Sequence, residues 1–244
     1  MHFCRHGLLS KLTCFLLLFL AGCSNKPSAD PSIFRMSIKN EPPTLDGTLA
    51  TDSVSFTILT NLMEGLTQYD TDLNPIPAVA KRWSYSNDGR TITFYLRKDV
   101  FWSDGKRVTA EDFEYSWKRL LAPETAAQYA YFLFDIKNAS EYNSGIIKDR
   151  DKVGVKAVAS DVLEVTLKKP VVYFPSITTF MVTFPLREDI IEKYGDSWTE
   201  PGKIVTNGPY LLEQWEHEYK LILKANPKHY EGKPEINKVH IFVV

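Results

Sequence analysis

The sequence predicts a mixed chain of the α/β or α+β class, with short strands, short helices and mixed sheets. Three observations lead to this prediction. Several segments alternate apolar and polar side chains, as half-buried strands do. Other segments repeat apolar residues at the spacing of an amphipathic helix. Clusters of Gly, Asn, Asp and Pro separate these segments and keep most of them short.

The first predicted elements are a strand at Ile33–Ile38 and a helix that follows it. Glu41-Pro42-Pro43 stops the strand. Asp52 or Ser53 can cap the helix, because a short oxygen-bearing side chain accepts from the free N–H groups of the first turn. Gly65 is the predicted stop of this helix. The apolar side of the helix is formed by Val54, Ile58, Leu59 and Leu62.

A hairpin-type turn at Asn87-Asp88-Gly89 precedes a predicted strand at Thr91–Leu96. Thr109 then heads a second helix, with Asp112 placed three residues later as in a capping box. Pro123 ends this helix. Its predicted buried stripe consists of Phe113, Trp117, Leu120 and Leu121.

The remaining predicted elements are a hairpin, a short helix and three strands. The hairpin joins Gly154–Ala159 to Val162–Leu167, and the helix runs from Leu186 to Tyr194 and stops at Gly195. The strands alternate apolar and polar residues and are Tyr210–Trp215, Lys220–Ala225 and Lys238–Val244.

The N-terminus has the pattern of an export signal at residues 1–22. Its apolar run, Leu12–Leu20, is shorter than the roughly 20 residues that a membrane-spanning helix needs. The following Leu20-Ala21-Gly22-Cys23 resembles the bacterial lipobox. This resemblance implies cleavage before Cys23 and lipidation of its sulfur, which would anchor the protein to a bacterial membrane. Residues 23–32 are polar, contain two prolines and are predicted to form a flexible tether.

Charge and cysteine content argue against nucleic-acid binding and against a disulfide in the mature chain. The formal net charge is −1, so the chain lacks the basic character of a nucleic-acid-binding protein. All three cysteines lie at or before the predicted cleavage point, namely Cys4, Cys14 and Cys23. No disulfide is therefore expected within the mature chain.

The sequence contains no constellation that indicates catalysis. The G-x-S-x-G elbow, the phosphate-binding P-loop and the G-x-G-x-x-G loop are all missing. The histidines of the mature chain, His217, His229 and His240, are far apart in sequence and do not have metal-ligand spacing. Paired carboxylates such as Glu111-Asp112 fall in helix first turns, where they favour the helix dipole. We therefore expect no enzyme activity, no cofactor and no metal site.

A family resemblance rests on several sequence motifs that occur in the order typical of the family. The most specific begins W-S-D-G at Trp102 and ends in T-A-E-D-F at Phe113, and others are E-P-P-T-L-D at Glu41, N-L-M-E-G-L-T at Asn61 and V-T-N-G-P-Y at Val205. Together they resemble the oligopeptide-binding proteins of bacterial peptide ABC importers, solute-binding protein family 5. The resemblance covers nearly all of the mature chain, from Ile33 to Val244.

This resemblance implies a type II periplasmic-binding-protein fold, in which two lobes close on an extended peptide. The first lobe would comprise residues 33–63 and 188–244, and a small α+β domain at 64–187 would be inserted into it. Members of the family are much longer, so we expect the second lobe to be missing. The groups that fix the charged ends of the peptide would be missing with it.

The resemblance also implies which residues face the ligand. Thr51, Asp52 and Ser53 match the segment whose backbone pairs with the peptide, and Tyr129 matches a cleft-facing tyrosine of the small domain. Asn207 and Gly208 match a loop beside the hinge. The alternatives are structural: a helix cap for Asp52 or Ser53, a core position for Tyr129, and a turn for Asn207-Gly208.

The function implied is capture of oligopeptides and delivery to an ABC permease by a monomeric lipoprotein, facing the periplasm or the cell exterior. Because half a cleft cannot enclose a ligand, the chain alone should bind peptide weakly or not at all. Two alternatives stay open. One is a truncated or split paralogue retained as an anchored interaction lipoprotein, and the other is a relative that carries nickel or haem.

Overall fold

Ten strands and five α-helices run through the part of the chain that the computed structural model describes, residues 30–244. The strands are β1 (Ile33–Ile38), β2 (Thr67–Tyr69), β3 (Pro75–Pro77), β4 (Ala80–Tyr85), β5 (Thr91–Leu96), β6 (Val155–Ala159), β7 (Val162–Thr166), β8 (Tyr210–Glu216), β9 (Lys220–Ala225) and β10 (Lys238–Val243). The helices are α1 (Ser53–Leu62), α2 (Ala110–Leu121), α3 (Ala139–Asn143), α4 (Phe174–Ile177) and α5 (Glu188–Tyr194). The predicted signal, Cys23 and most of the predicted tether lie outside the described residues.

One four-stranded sheet has the order β1-β10-β9-β8. β1 pairs in parallel with β10, so that Ile33 lies opposite Lys238 and Ile38 opposite Val243. The other two pairings are antiparallel. The first and last strands of the described chain are therefore neighbours in one sheet, and the other two sheets lie between β1 and β8 in sequence.

A second four-stranded sheet has the order β4-β5-β7-β6 and is antiparallel throughout. In β5 the side chains alternate in burial, and Ile92, Phe94 and Leu96 are fully buried. Helix α2 packs on this sheet through contacts with β6 and β7. Its predicted buried stripe, which includes Phe113 and Trp117, is confirmed.

Residues Ser32–Val244 form one compact unit with a continuous hydrophobic core. The β1-β10-β9-β8 sheet falls within the residues assigned from sequence to the first lobe, and the β4-β5-β7-β6 sheet within residues 64–187. The division into a lobe and an inserted domain stays a prediction, because the contacts bind both parts into one unit.

Two predicted helix boundaries were wrong, and tertiary contacts explain both. Helix α1 ends at Leu62 instead of about Glu64, the residue before the predicted stop at Gly65, because the next residues are extended and bind a distant loop. Gly65 instead serves close packing: a Cβ there would lie 2.5 Å from the Thr178 carbonyl oxygen. Helix α5 begins at Glu188, two residues later than predicted, since Arg187 is extended and its guanidinium pairs with Asp104 and Asp189.

The longest helix in the described range is α2, with 12 residues. Within residues 30–244 no helix combines the length and the hydropathy that a bilayer-spanning segment requires.

Candidate functional site

The segment Thr51–Ser53 leads into helix α1 and lies at the surface. Thr51 and Ser53 are exposed, and Asp52 is half-buried. Asp52 is the N-cap: its Oδ1 accepts from the backbone N–H groups of Val54 and Ser55 at 3.0 and 2.9 Å. The Ser55 hydroxyl donates to Asp52 Oδ2 at 2.7 Å. The carboxylate is thus occupied in starting the helix, and the residues on either side of it, Thr51 and Ser53, are exposed.

Tyr129 lies beside this segment although 78 residues separate it from Thr51. Its hydroxyl donates to the Thr51 carbonyl oxygen at 3.4 Å. Tyr129 precedes a short 3₁₀ turn at Ala130–Leu133, and its side chain is half-buried. The fold therefore brings together two of the positions that the family resemblance singles out for ligand binding.

Tyr129 is also the centre of five contacting rings, here called the aromatic cluster, which consists of Phe56, Tyr129, Tyr131, Phe132 and Phe180. The Tyr129 centroid lies 5.5–6.0 Å from each of the other four. Tyr131 stacks on Phe132 at 4.7 Å and is 54% exposed, whereas the other four rings are half-buried. Such ring pairs pack favourably, and the exposed ring of Tyr131 gives the cluster an apolar surface that faces solvent.

Asn207 and Gly208 occupy a different position, at the C-terminal end of α1. Asn207 is 1% exposed, and its side-chain amide bonds the backbone of Glu64 on both sides, at 3.0 Å each. The Gly208 N–H donates to the Leu62 carbonyl oxygen at 2.9 Å, and a Cβ there would lie 2.6 Å from the Leu62 carbonyl carbon. Both residues fasten α1 to the loop before β8. A direct ligand contact for either stays a prediction.

The W-S-D-G phrase is likewise engaged in holding the fold together. The Trp102 indole N–H and the Thr109 backbone N–H both donate to Asp112 Oδ2, at 3.0 and 2.8 Å. Burial raises the pKa of Asp112, although these hydrogen bonds oppose the shift. Ser103 exchanges two hydrogen bonds with Thr206, its N–H donating and its Oγ accepting, at 2.8 and 3.1 Å. The phrase thereby joins the start of α2 to the segment that contains Asn207.

Sequence reasoning missed three members of the aromatic cluster, namely Phe56, Phe132 and Phe180. Phe56 lies off the buried stripe of α1, and this position was a usable signal for a surface aromatic residue. Phe132 belongs to the aromatic-rich run Tyr129–Phe134, a second signal. No local sequence pattern indicates that Phe180 belongs to the cluster, because the tertiary fold alone brings it beside Tyr129.

The mixed α/β fold matches those of solved bacterial substrate-binding proteins. The chain belongs to the family described as "Bacterial extracellular solute-binding proteins, family 5 Middle", which matches residues 74–244. This membership confirms the resemblance found in the sequence.

Known proteins agree with this assignment. The chain is 37% identical over 225 residues to the oligopeptide-binding protein OppA of Bacillus subtilis strain 168, covering 91% of this chain and 41% of OppA. It is 36% identical over 212 residues to the probable deoxycholate-binding periplasmic protein YgiS of Escherichia coli K12, covering 86% and 39%. The substrate-binding domain of a Bacillus anthracis oligopeptide ABC transporter superposes with a TM-score of 0.83 at 39% identity, covering 87% and 41%. The chain thus spans about two fifths of the length of these relatives.

Proposed function

We propose that this chain captures extended oligopeptides as part of the substrate-binding lipoprotein of an ABC importer. The observation that carries the proposal is the contact between Tyr129 and Thr51, which sets an exposed segment beside the aromatic cluster. The relatives include oligopeptide-binding proteins, and this supports the same cargo.

The two parts of this site would serve different parts of a peptide. The backbone of Thr51–Ser53 can pair with the main chain of a ligand, and main-chain pairing tolerates any peptide sequence. The aromatic cluster would pack against an apolar side chain of the ligand, with Tyr131 as its most exposed ring. No charged residue belongs to the cluster, so it cannot neutralise a peptide terminus, and the chain alone should bind weakly.

Lipidation at Cys23 would hold the protein at the membrane, facing the periplasm or the cell exterior, where a permease receives the cargo. This role requires no catalysis, and we propose that the chain is a non-enzymatic monomer. An anchored interaction lipoprotein without transport activity is the alternative that a complete failure to bind peptide would favour.

The test is a titration of the isotope-labelled chain with an apolar tetrapeptide, followed by NMR. We expect fast-exchange shift changes centred on Thr51, Ser53 and Tyr131, with a dissociation constant weaker than about 100 μM. Tyr131→Ala should abolish most of the response, because it removes the exposed ring without opening a buried cavity. The matched control is Tyr219→Ala, since Tyr219 is 52% exposed and lies at the turn between β8 and β9.

Peptide-induced changes that avoid the aromatic cluster, or their absence at millimolar peptide, would contradict the proposal. Low-micromolar binding by the chain alone would instead show that one lobe suffices.

A steroid ligand is a second candidate, because the name of one relative gives deoxycholate as its ligand and the aromatic cluster offers an apolar face. Deoxycholate should be titrated in parallel below its micellar concentration. Shifts at the cluster with deoxycholate and none with peptide would assign the site to a steroid.

A further inference from the structure

Three potential metal ligands converge in a part of the chain that the proposed peptide site does not use. Glu64, His229 and Glu231 each offer one atom, and these atoms lie within 4.8 Å of one another. His229 Nε2 is 2.9 Å from Glu64 Oε1, although 165 residues separate the two. His229 is far from every other histidine in the sequence, so spacing could not reveal this group.

The backbone around two of these ligands is held in place. Glu64 is clamped through its N–H and carbonyl groups by Asn207. The carbonyl oxygen of His229 accepts from the Gly232 N–H at 2.9 Å, which closes a turn around Glu231. The His229 and Glu64 side chains are only 5% and 14% exposed. Such preorganisation lowers the entropic cost of binding an ion.

Two buried oxygen atoms in the same place lack a hydrogen-bond partner among the described residues. They are Oε2 of Glu64 and the hydroxyl oxygen of Tyr230. The Tyr230 hydroxyl neighbours the Glu64 carboxylate, so a small shift would pair these two oxygens, and a cation or a water molecule would satisfy Glu64 Oε2 equally well. The unpaired Glu64 oxygen thus adds to the convergence of the three side chains as a reason to expect a ligand at this place.

We propose that Glu64, His229 and Glu231 form a binding site for a divalent transition-metal ion, and that its donor set favours zinc. One imidazole nitrogen and two carboxylate oxygens are ligands that zinc takes readily, and a water molecule would complete four-coordination. Calcium and magnesium prefer oxygen ligands alone and gain little from an imidazole.

Zinc binding requires only local adjustment. Bonds of about 2.0–2.2 Å place tetrahedral ligands roughly 3.3 Å apart, so the contact between His229 and Glu64 opens by a few tenths of an ångström. Glu231 is exposed and can swing inward. The ion takes the place of the proton shared by His229 and Glu64, and that proton is released to solvent. The bound ion would tie the end of α1 to the loop before β10.

The test is calorimetric titration of the purified chain with Zn²⁺, with native mass spectrometry for stoichiometry. We expect a saturable site of one ion per chain and a rise in melting temperature on adding zinc, with no such response to Ca²⁺ or Mg²⁺. Loss of a partner outside the first ligand shell costs about 10- to 100-fold in metal affinity, so loss of a direct ligand should cost at least tenfold. Glu231→Gln and His229→Asn should both show this loss.

Glu231→Gln keeps the test decisive if His229→Asn fails to fold, because Glu231 is exposed. The matched control is His217→Asn. His217 also contacts two carboxylates, Glu41 and Glu200, but through opposite ring nitrogens, so they cannot converge on one ion. The His217→Asn variant should bind zinc like the wild type. The cysteines lie outside the described residues and are the same in all variants, so they cannot cause a difference between them. Unchanged zinc binding in Glu231→Gln, or no saturable site in the wild type, would overturn the proposal.

Discussion

The side-chain amide of Asn207 hydrogen-bonds both the backbone N–H and the backbone carbonyl of Glu64, a residue 143 positions earlier in the chain. Its Oδ1 accepts from the Glu64 N–H and its Nδ2 donates to the Glu64 carbonyl oxygen, both at 3.0 Å. Because helix α1 ends at Leu62, these two backbone groups have no partner in the helix. Asn207 therefore works as a cap supplied by tertiary structure.

Replacing Asn207 by Ala should destabilise the fold strongly. The substitution leaves two backbone groups of Glu64 unpaired, and each such group costs about 1–3 kcal/mol when it is shielded from water. We expect the free energy of unfolding, measured by urea titration, to fall by about 2–3 kcal/mol. The matched control is Asn61→Ala, since Asn61 makes one exposed bond within its own helix and should change stability by less than about 0.5 kcal/mol. Equal losses in the two variants would contradict the capping role.

Arg119 of α2 and Asp46 form a paired contact that fixes the loop before α1. The guanidinium donates to both carboxylate oxygens, at 3.0 and 2.6 Å, and also to Thr48 Oγ1 at 2.6 Å. The two side chains are 18% and 6% exposed. A charge left alone at such a site is costly, whereas removal of both charges is tolerated far better.

Asp46→Ala and Arg119→Ala should each lower the free energy of unfolding by about 3–5 kcal/mol. The double variant should lose clearly less than the sum of the two single losses, as a double-mutant cycle measures. Lys98→Ala is the control, because the Lys98 side chain pairs with Asp161 at 3.4 Å while 67% exposed, and it should cost less than about 0.5 kcal/mol. Additive losses at Asp46 and Arg119 would refute the coupling.

His217 lies between two carboxylates from different parts of the chain. Its Nδ1 is 2.7 Å from Glu41 and its Nε2 is 3.4 Å from Glu200. The Trp215 indole N–H donates to the same Glu41 oxygen, and Asp196 lines the same surface depression. Partial burial by itself lowers the pKa of His217, but the hydrogen bonds and charges of Glu41 and Glu200 outweigh it and raise the pKa above 6.5.

This upward shift predicts a pH dependence of stability. The folded protein holds the His217 proton more tightly than the unfolded chain does. The stabilisation is therefore complete below about pH 6.5 and is lost as the pH rises through the higher folded pKa. His217→Asn should flatten the decline of the unfolding free energy above pH 6.5, measured with a chelator present. The control is His240→Asn, because burial lowers the pKa of His240 and its contribution has the opposite sign. A wild-type slope in His217→Asn would rule this out.

Cys23 is the predicted lipid attachment site. Cys23→Ser should abolish incorporation of labelled palmitate and release the protein from the membrane fraction, because no other group would carry the acyl chains. Cys14→Ser is the matched control, since Cys14 lies within the apolar run of the same signal and should leave labelling unchanged. Labelling that persists in Cys23→Ser would place the anchor elsewhere or exclude it.

Local patterns predicted most of the regular elements. The capping box at Thr109 and Asp112, the Asp52 cap and the alternation in β5 are confirmed, because each depends on residues only a few positions apart. The strands β2, β3 and β4 were not assigned from the sequence. β2 and β3 have three residues each, which is too short for a period-2 pattern to stand out.

The candidate site likewise contains some residues that the sequence indicated and others that only the fold revealed. Thr51 and Tyr129 came from the family resemblance, and the fold brings them into contact. Phe180 joins the aromatic cluster, and His229 meets Glu64, without any local signal in the sequence. The V-T-N-G-P-Y motif singled out Asn207, but the sequence did not reveal that its side chain caps the backbone of Glu64.

The sequence by itself determined the mixed α/β class, the starts of the main helices, the hairpins and the family, because hydrophobic period, capping residues and ordered phrases are all local properties. Only the tertiary structure decided that β1 lies beside β10, that Asn207 holds Glu64, and which rings meet around Tyr129. The pairing of β1 with β10, the contact of Asn207 with Glu64 and that of Phe180 with Tyr129 join residues about 50 to more than 200 positions apart. Their partners are selected by how the whole core packs, and no short stretch of sequence encodes that choice.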